Sequence, residues 1–466
     1  LSGSAATVVN AAANTIYEIS GLASSAVWVI DPTNSDTAEL VPYETQQQGD
    51  GTYTARFDAP VSGRIQIVAQ GQELAAHSIS KRPIRGVASG VKYLAVGPAG
   101  FSGAIQPLLS ARRANGLTSA FVDQEELFDY YGHGRYGPEA IRTAVRSARP
   151  DYLLLVGRTT YDYLNYAGPA FDPLCPSFLV STTYLSQTVA DAPFGDLGNG
   201  YPEVSIGRFP ANTADDVAAM VTKTLNYNGL PVSGWRALAA TDRYDPASGD
   251  FSAQADSMIQ STPDMAWTRA FLGLTHSQPG DITEAMRKAA SGGADLLVYY
   301  GHGNSRILGV QTPRILDSTL VQSWTGNVVF LQATCNGNFF ARDEDGARSI
   351  AVQGMLQPGG GIAASISTTT FMLAGPASEF MQELMRQTGA ATRWGDALRR
   401  TQQWAWQKSG GAPKSWYHDL AMTESILGDP ALPIYMPTVI PPNGGGSGGG
   451  NNVPNPATPT TELPGG

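Results

Sequence analysis

The sequence predicts an α/β protein of mostly parallel sheets, preceded by a small all-β, sandwich-like module. Three observations carry that expectation. From about residue 91, short apolar runs alternate with amphipathic stretches, the grammar of buried strands linked by covering helices. Two of the runs, Asp295-Leu-Leu-Val-Tyr-Tyr300 and Val328-Val-Phe-Leu-Gln-Ala333, read as strands buried on both faces and end on chemically capable residues. Before residue 90, short β-branched runs are separated by turn signals alone.

Within residues 1–90 the runs are Ala26-Val-Trp-Val-Ile30, Thr52-Tyr-Thr-Ala-Arg-Phe57 and Arg64-Ile-Gln-Ile-Val-Ala69. Asp31-Pro32, Gly49-Asp-Gly51 and Ser62-Gly63 divide them, and the module is expected to pack against the main domain. It carries no recognisable chemistry. Next come a strand at 93–96, a helix at 105–115 ending on Gly116, a strand at 118–122, a helix at 138–148 and a strand at 152–156 closed by Gly157. A loop-rich insert fills residues 170–210. A helix at 217–227, a strand at 237–241, a polar loop at 242–251, a helix at 251–259, a short strand near Arg269 and a helix at 282–290 lead to the first of the two long apolar runs. Beyond the second run the pattern gives a helix at 349–355, a strand at 361–365 and helices at 378–387 and 394–408. After Pro437 the chain is nearly all Gly, Ser, Pro, Asn and Thr, which cannot bury a core and reads as a flexible tail. The expected divisions are 1–90, 91–230, 231–437 and 438–466.

Composition narrows the function. A chain of 466 residues is long enough for two or three domains. A net charge of −10 argues against a nucleic-acid groove or an anionic membrane as partner. No apolar run is long enough to cross a bilayer. Cys175 and Cys335 are the only cysteines, so no disulfide framework supports the fold. Charged residues make up just 15%, which suits a secreted protein. The start at Leu1, with no signal-peptide pattern, reads as a mature or trimmed product.

Chemistry gathers just beyond the carboxyl ends of parallel strands. If the two long runs are neighbours, His302 in Gly301-His302-Gly303-Asn304 and Cys335 in Thr334-Cys335-Asn336-Gly337 emerge at one sheet edge. A thiol beside an imidazole is the minimal kit for nucleophilic catalysis. Taken singly, a free Cys is more often inert core; the pairing at two strand ends, with Gly and Asn flanks, favours catalysis. The word Tyr131-Gly132-His133-Gly134 repeats the pattern without a preceding buried strand, so it is assigned to a surface turn.

Tyr300-Gly-His-Gly-Asn304 and Ala333-Thr-Cys-Asn-Gly337, each after a buried strand, resemble the catalytic blocks of the gingipain family, cysteine peptidases of the caspase-like clan. Val204-Ser-Ile-Gly-Arg-Phe-Pro210 and Gly428-Asp-Pro430 extend the resemblance over about residues 91–436. It implies a caspase-like domain of two α/β subdomains. It implies Cys335 as nucleophile and His302 as acid/base on opposite sides of the substrate, with the N–H groups of Gly303 and Cys335 as oxyanion hole. The Asp191 segment resembles the one whose Asp floors the specificity pocket of arginine-cleaving members. The alternative is an Asp that caps a turn. Thr368 and Phe371 are candidate pocket walls, against a core role for Phe371. The resemblance requires no cofactor and allows structural calcium. The cluster Asp242, Asp245, Asp250 and Asp256 has hard ligands but no EF-hand spacing, so a solvated turn is favoured there. Cys175 reads as a bystander, and Trp394, Trp404, Trp406 and Trp416 as packing on helices.

The expected function is a secreted endopeptidase acting on proteins or peptides, with a preference for a basic side chain before the scissile bond. The rivals are a sortase-like transpeptidase of the same family, and a non-catalytic surface or filament protein that keeps the fold.

Overall fold

The computed structural model describes residues 5–33, 38–60, 62–70, 85–162, 174–227, 235–263, 265–341 and 348–435. The expected tail at 438–466 and part of the 170–210 insert lie outside them. The chain divides into two compact units, Leu1–Pro83 and Ile84–Gly466.

The first unit is all-β. Ala5–Ala11, Gly63–Ala69, Val27–Asp31 and Glu39–Leu40 form one antiparallel sheet in that order. Thr15–Leu22, Tyr53–Ala59 and Tyr43–Gln47 form a second. Strict alternation buries Val27, Val29, Phe57, Ile65 and Ile67 in a shared core and leaves the intervening side chains at the surface. The sequence showed three of these seven strands. The others are short or lack a dense β-branched run.

The second unit is organised by one ten-stranded sheet. Met265–Phe271, Trp235–Thr241, Leu296–Tyr300, Asn327–Ala333 and Gly361–Thr368 make one half, all parallel. Ser205–Phe209, Tyr152–Val156, Tyr93–Gly97 and Ser119–Asp123 make the other, again all parallel. Glu424–Leu427 joins them, antiparallel to Gly361–Thr368 and parallel to Ser205–Phe209. The two halves therefore run in opposite directions. Leu297, Tyr299 and Phe330 pack into one apolar layer, while Leu296, Val298, Val329 and Leu331 pack into the layer on the opposite face. That two-sided burial explains why these strands read as unbroken apolar runs.

Local sequence sets the helix ends. Thr213 and Asp216 form a capping box at the start of Ala214–Asn226, and Ser349 caps Ile350–Leu356 through the N–H of Val352. Pro138 occupies the first turn of Pro138–Ala148. Two helices escape the sequence reading. Gln124–Gly132 starts on the Asp123 cap and buries only Gln124, Leu127 and Phe128, too few for a visible stripe. Trp416–Thr423 is short and starts on the Ser415 cap. His133 ends the first of them in a left-handed conformation at the surface, in keeping with its rejection as catalytic. Among the described residues no helix is long and apolar enough to cross a membrane.

Candidate active site

Strand register builds the site. Trp235–Thr241 pairs with Leu296–Tyr300 so that Thr241 stands opposite Tyr300, and Tyr300 stands opposite Ala333. His302 and Cys335 each follow their strand by two residues, so they leave the sheet at the same level on adjacent strands. Asp245 leaves the third strand, beyond Thr241, and Met372 the fourth, beyond Gly361–Thr368. Both His302 and Cys335 line a cleft of about 370 Å³, together with Ser248, Phe251, Met372 and Leu373.

His302 is held at ring and backbone. Its Nε2 lies 2.7 Å from Oδ2 of Asp245. A carboxylate only accepts, so Nε2 carries the proton and Nδ1 is left as the basic nitrogen. Phe251 packs edge-on against the ring with centroids 5.3 Å apart. The His302 carbonyl accepts from the Tyr299 hydroxyl at 2.8 Å and from the Gly309 N–H at 2.9 Å. The flanking glycines are needed for space. A Cβ on Gly301 would meet Asp242 Cβ and Tyr299 Oη at 2.5 Å, and one on Gly303 would meet the Ile307 carbonyl and Thr334 Oγ1 at 2.7 Å. The crowding comes from the protein itself.

Asp245 is the site residue that the sequence did not reveal. Its carboxylate accepts from the Ala247 N–H at 3.0 Å and the Ser248 hydroxyl at 3.1 Å as well as from His302. The Ala247 N–H and then His302 hold it below the usual carboxylate range, so it is ionised at neutral pH. The available signal was topological: Asp245 follows the strand-like 237–241 run just as His302 follows its own.

Cys335 is half-buried, and its Sγ rests against the backbone of Met372, 3.5 Å from the nitrogen and 3.7 Å from the oxygen. Burial pushes the thiol pKa up, an effect the Met372 N–H partly offsets. The resting sulfur is therefore a protonated thiol. Asn336 adopts a left-handed φ of 54° and donates its N–H to Thr370. The buried Asn338 amide bonds the carbonyls of Ser365 and Ser425 at 3.0 and 2.8 Å, fixing the turn that presents the sulfur.

The remaining predicted residues fall elsewhere. Asp191 does not line the cleft: it is buried, and Arg208 takes both its oxygens through Nε at 2.7 Å and Nη2 at 2.8 Å, with Ser177 Oγ adding a bond at 2.9 Å. A carboxylate neutralised by a buried Arg cannot serve as the floor that selects a substrate cation. Thr368 is no wall either, since it is fully buried with its hydroxyl 2.7 Å from that of Thr423. Phe371 is 41% exposed rather than core, and it flanks the cleft with its ring edge toward Tyr184 at 6.4 Å. Gly303 sits beside His302 in a bridge to Leu308. Cys175 is fully buried away from the cleft. Trp394 belongs to the core, and Trp404 and Trp406 pack against that core; Trp416 meets Tyr184 at a tilt, with ring centroids 4.9 Å apart.

The acidic residues serve separate tasks: Asp245 holds His302, Asp250 caps Phe251–Gln260 through the Ala253 N–H, and Asp256 pairs with Arg269 at 2.6 Å. Asp242 is buried, and that burial raises its pKa. Among the described residues no three His, Cys, Asp or Glu side chains are grouped so that they could hold one metal ion.

Comparison with known proteins agrees with the fold. The crystal structure of the Arg-specific cysteine proteinase gingipain R superposes with a TM-score of 0.58 at 17% identity, covering 76% of this chain and 81% of that one. The complex of the pro- and mature domains of RgpB from Porphyromonas gingivalis gives 0.55 at 18% identity, covering 73% of this chain and 79% of that one. A further protease structure gives 0.57 at 14%, covering 75% and 80%. At such identities the likeness speaks for the fold alone. No curated protein matches the chain. The sequence model of peptidase family C25 matches residues 87–435, which take in every strand of the ten-stranded sheet. The chain belongs to peptidase family C25, the gingipain family of cysteine peptidases.

Proposed function

We propose that this chain is a secreted thiol endopeptidase in which Asp245, His302 and Cys335 act as a unit. One observation carries the reading: matched register on adjacent parallel strands brings His302 and Cys335 into one cleft, with a carboxylate on the far nitrogen of the imidazole. Cys335 Sγ leaves its resting contact with Met372 and attacks the scissile carbonyl, its proton passing to His302 Nδ1. The N–H groups of Gly303 and Cys335 receive the developing oxyanion. His302 then gives the proton to the leaving amine, and water hydrolyses the thioester with His302 again as base. Asp245 keeps the proton on Nε2 and stabilises the imidazolium. Release outside the cell is supported by the family and by the low content of charged residues.

Replacing Cys335 with Ala tests this directly. The expected result is a loss of peptide hydrolysis of at least about 10³-fold with an unchanged circular dichroism spectrum and melting point. An unaffected rate would sink the assignment.

A further inference from the structure

We infer that the cleft accepts an uncharged, apolar side chain at the residue before the scissile bond and discriminates against Arg and Lys there. The inference rests on the thiol-peptidase reading and adds its substrate class.

Among the described residues that line the cleft, none is Asp, Glu, Lys or Arg. His302 is their single basic group, and it is committed to the reaction. Among the described residues the carboxylates nearby are engaged. Asp245 turns its oxygens to Ala247, Ser248 and His302. Asp242 is buried behind Gly301, one oxygen taking the Arg243 N–H, and burial favours its neutral form. Asp191, the residue whose setting suggested a basic preference, is locked by Arg208 and lies outside the cleft. A guanidinium or ammonium entering here would lose water and find no carboxylate among the described residues that line the cleft, a strongly disfavoured exchange.

The apolar surface points the same way. Phe251, Met372 and Leu373 form walls, and Leu373 is 43% exposed. Next to Met372 the surface continues into Phe371, then Tyr184, which is 62% exposed and meets Trp416. Exposed aromatic and aliphatic side chains that run on from a reactive cysteine are suited to apolar side chains of an extended peptide. Specificity of this kind comes from the environment that Met372 and Leu373 create, and Leu373 is its most accessible determinant.

The test uses the full chain and acyloxymethyl ketones that carry Leu, Phe, citrulline, Arg or Lys at the position before the ketone, with the labelled peptide identified by mass spectrometry. Labelling of Cys335 should be at least about tenfold faster with Leu or Phe than with Arg or Lys. Citrulline, close to Arg in shape but uncharged, should outrun Arg, which separates charge from size. Leu373→Asp should move the ratio toward Arg. Faster labelling by Arg or Lys in the wild type overturns the inference and leaves the peptidase intact. An unchanged ratio in Leu373→Asp overturns the wall assignment. If no ketone labels Cys335 while iodoacetamide does in the folded chain, the peptidase reading itself falls, and this inference with it.

Discussion

In the proposed reaction Asp245 acts through the tautomer it imposes on His302. With Nε2 protonated by the 2.7 Å bond, Nδ1 is the nitrogen able to take a proton. Asp245→Asn keeps the shape but removes the charge that stabilises the imidazolium. The expected outcome is a fall in kcat of about 10²-fold with KM little changed, read by steady-state kinetics on an apolar peptide substrate. An equal rise in KM would instead indicate a collapsed cleft. His302 and Cys335 were legible because each closes a run that could only be a buried strand. Asp245 was not, because it lies 57 residues from its partner in a polar loop where a carboxylate looks like turn chemistry. Asp191 misled for the opposite reason: the local word was right for a pocket Asp, while the Arg208 that consumes it stood 17 residues on with nothing in the sequence to say that the two face each other.

The helix Ala214–Asn226 shows how an element can carry a latent cost. Lys223 is buried, and its Nζ donates to the carbonyl of Gly354 at 2.9 Å, with no acidic side chain paired to it among the described residues. Burial alone lowers its pKa from 10.5 to about 7. Above 10.5 folded and unfolded chains are both neutral at this residue and it contributes nothing to pH dependence. Between about 10.5 and 7 the unfolded chain binds the proton more readily, so stability falls as pH falls, and below about 7 the whole cost stands. Lys223→Met should therefore raise the melting temperature by about 2–4 °C at pH 6, with the difference shrinking toward pH 10. Calorimetry at both pH values checks it, and a pH-independent difference would mean that packing, not charge, sets the effect. Elements of this kind were readable as far as their apolar stripes extended. The polar helix Gln124–Gly132 was missed because its caps and three buried residues leave no period to detect.

At the scale of the molecule, the units Leu1–Pro83 and Ile84–Gly466 have separate cores. A chain starting at Ile84 should fold alone, with cooperative melting and Cys335 still open to alkylation; loss of cooperativity would show that the first unit is needed for the second. The α/β class and the parallel strands within each half were legible from alternation and apolar runs. The opposed directions of the halves were not, because they depend on a four-residue strand, Glu424–Leu427, which enters the middle of the sheet from the far end of the chain. No local pattern encodes a pairing of that range.

That late strand also sets when the enzyme can exist. Its Ser425 carbonyl anchors Asn338 in the cysteine turn, and Thr423, just before it, binds Thr368 at the end of the neighbouring strand. During synthesis, everything up to Gly361–Thr368 can emerge from the ribosome with the two half-sheets still unjoined and the turn carrying the thiol not yet pinned. Proteolytic competence then arrives only with the last few dozen residues of the domain, so a stalled or prematurely terminated chain is left without its scissors.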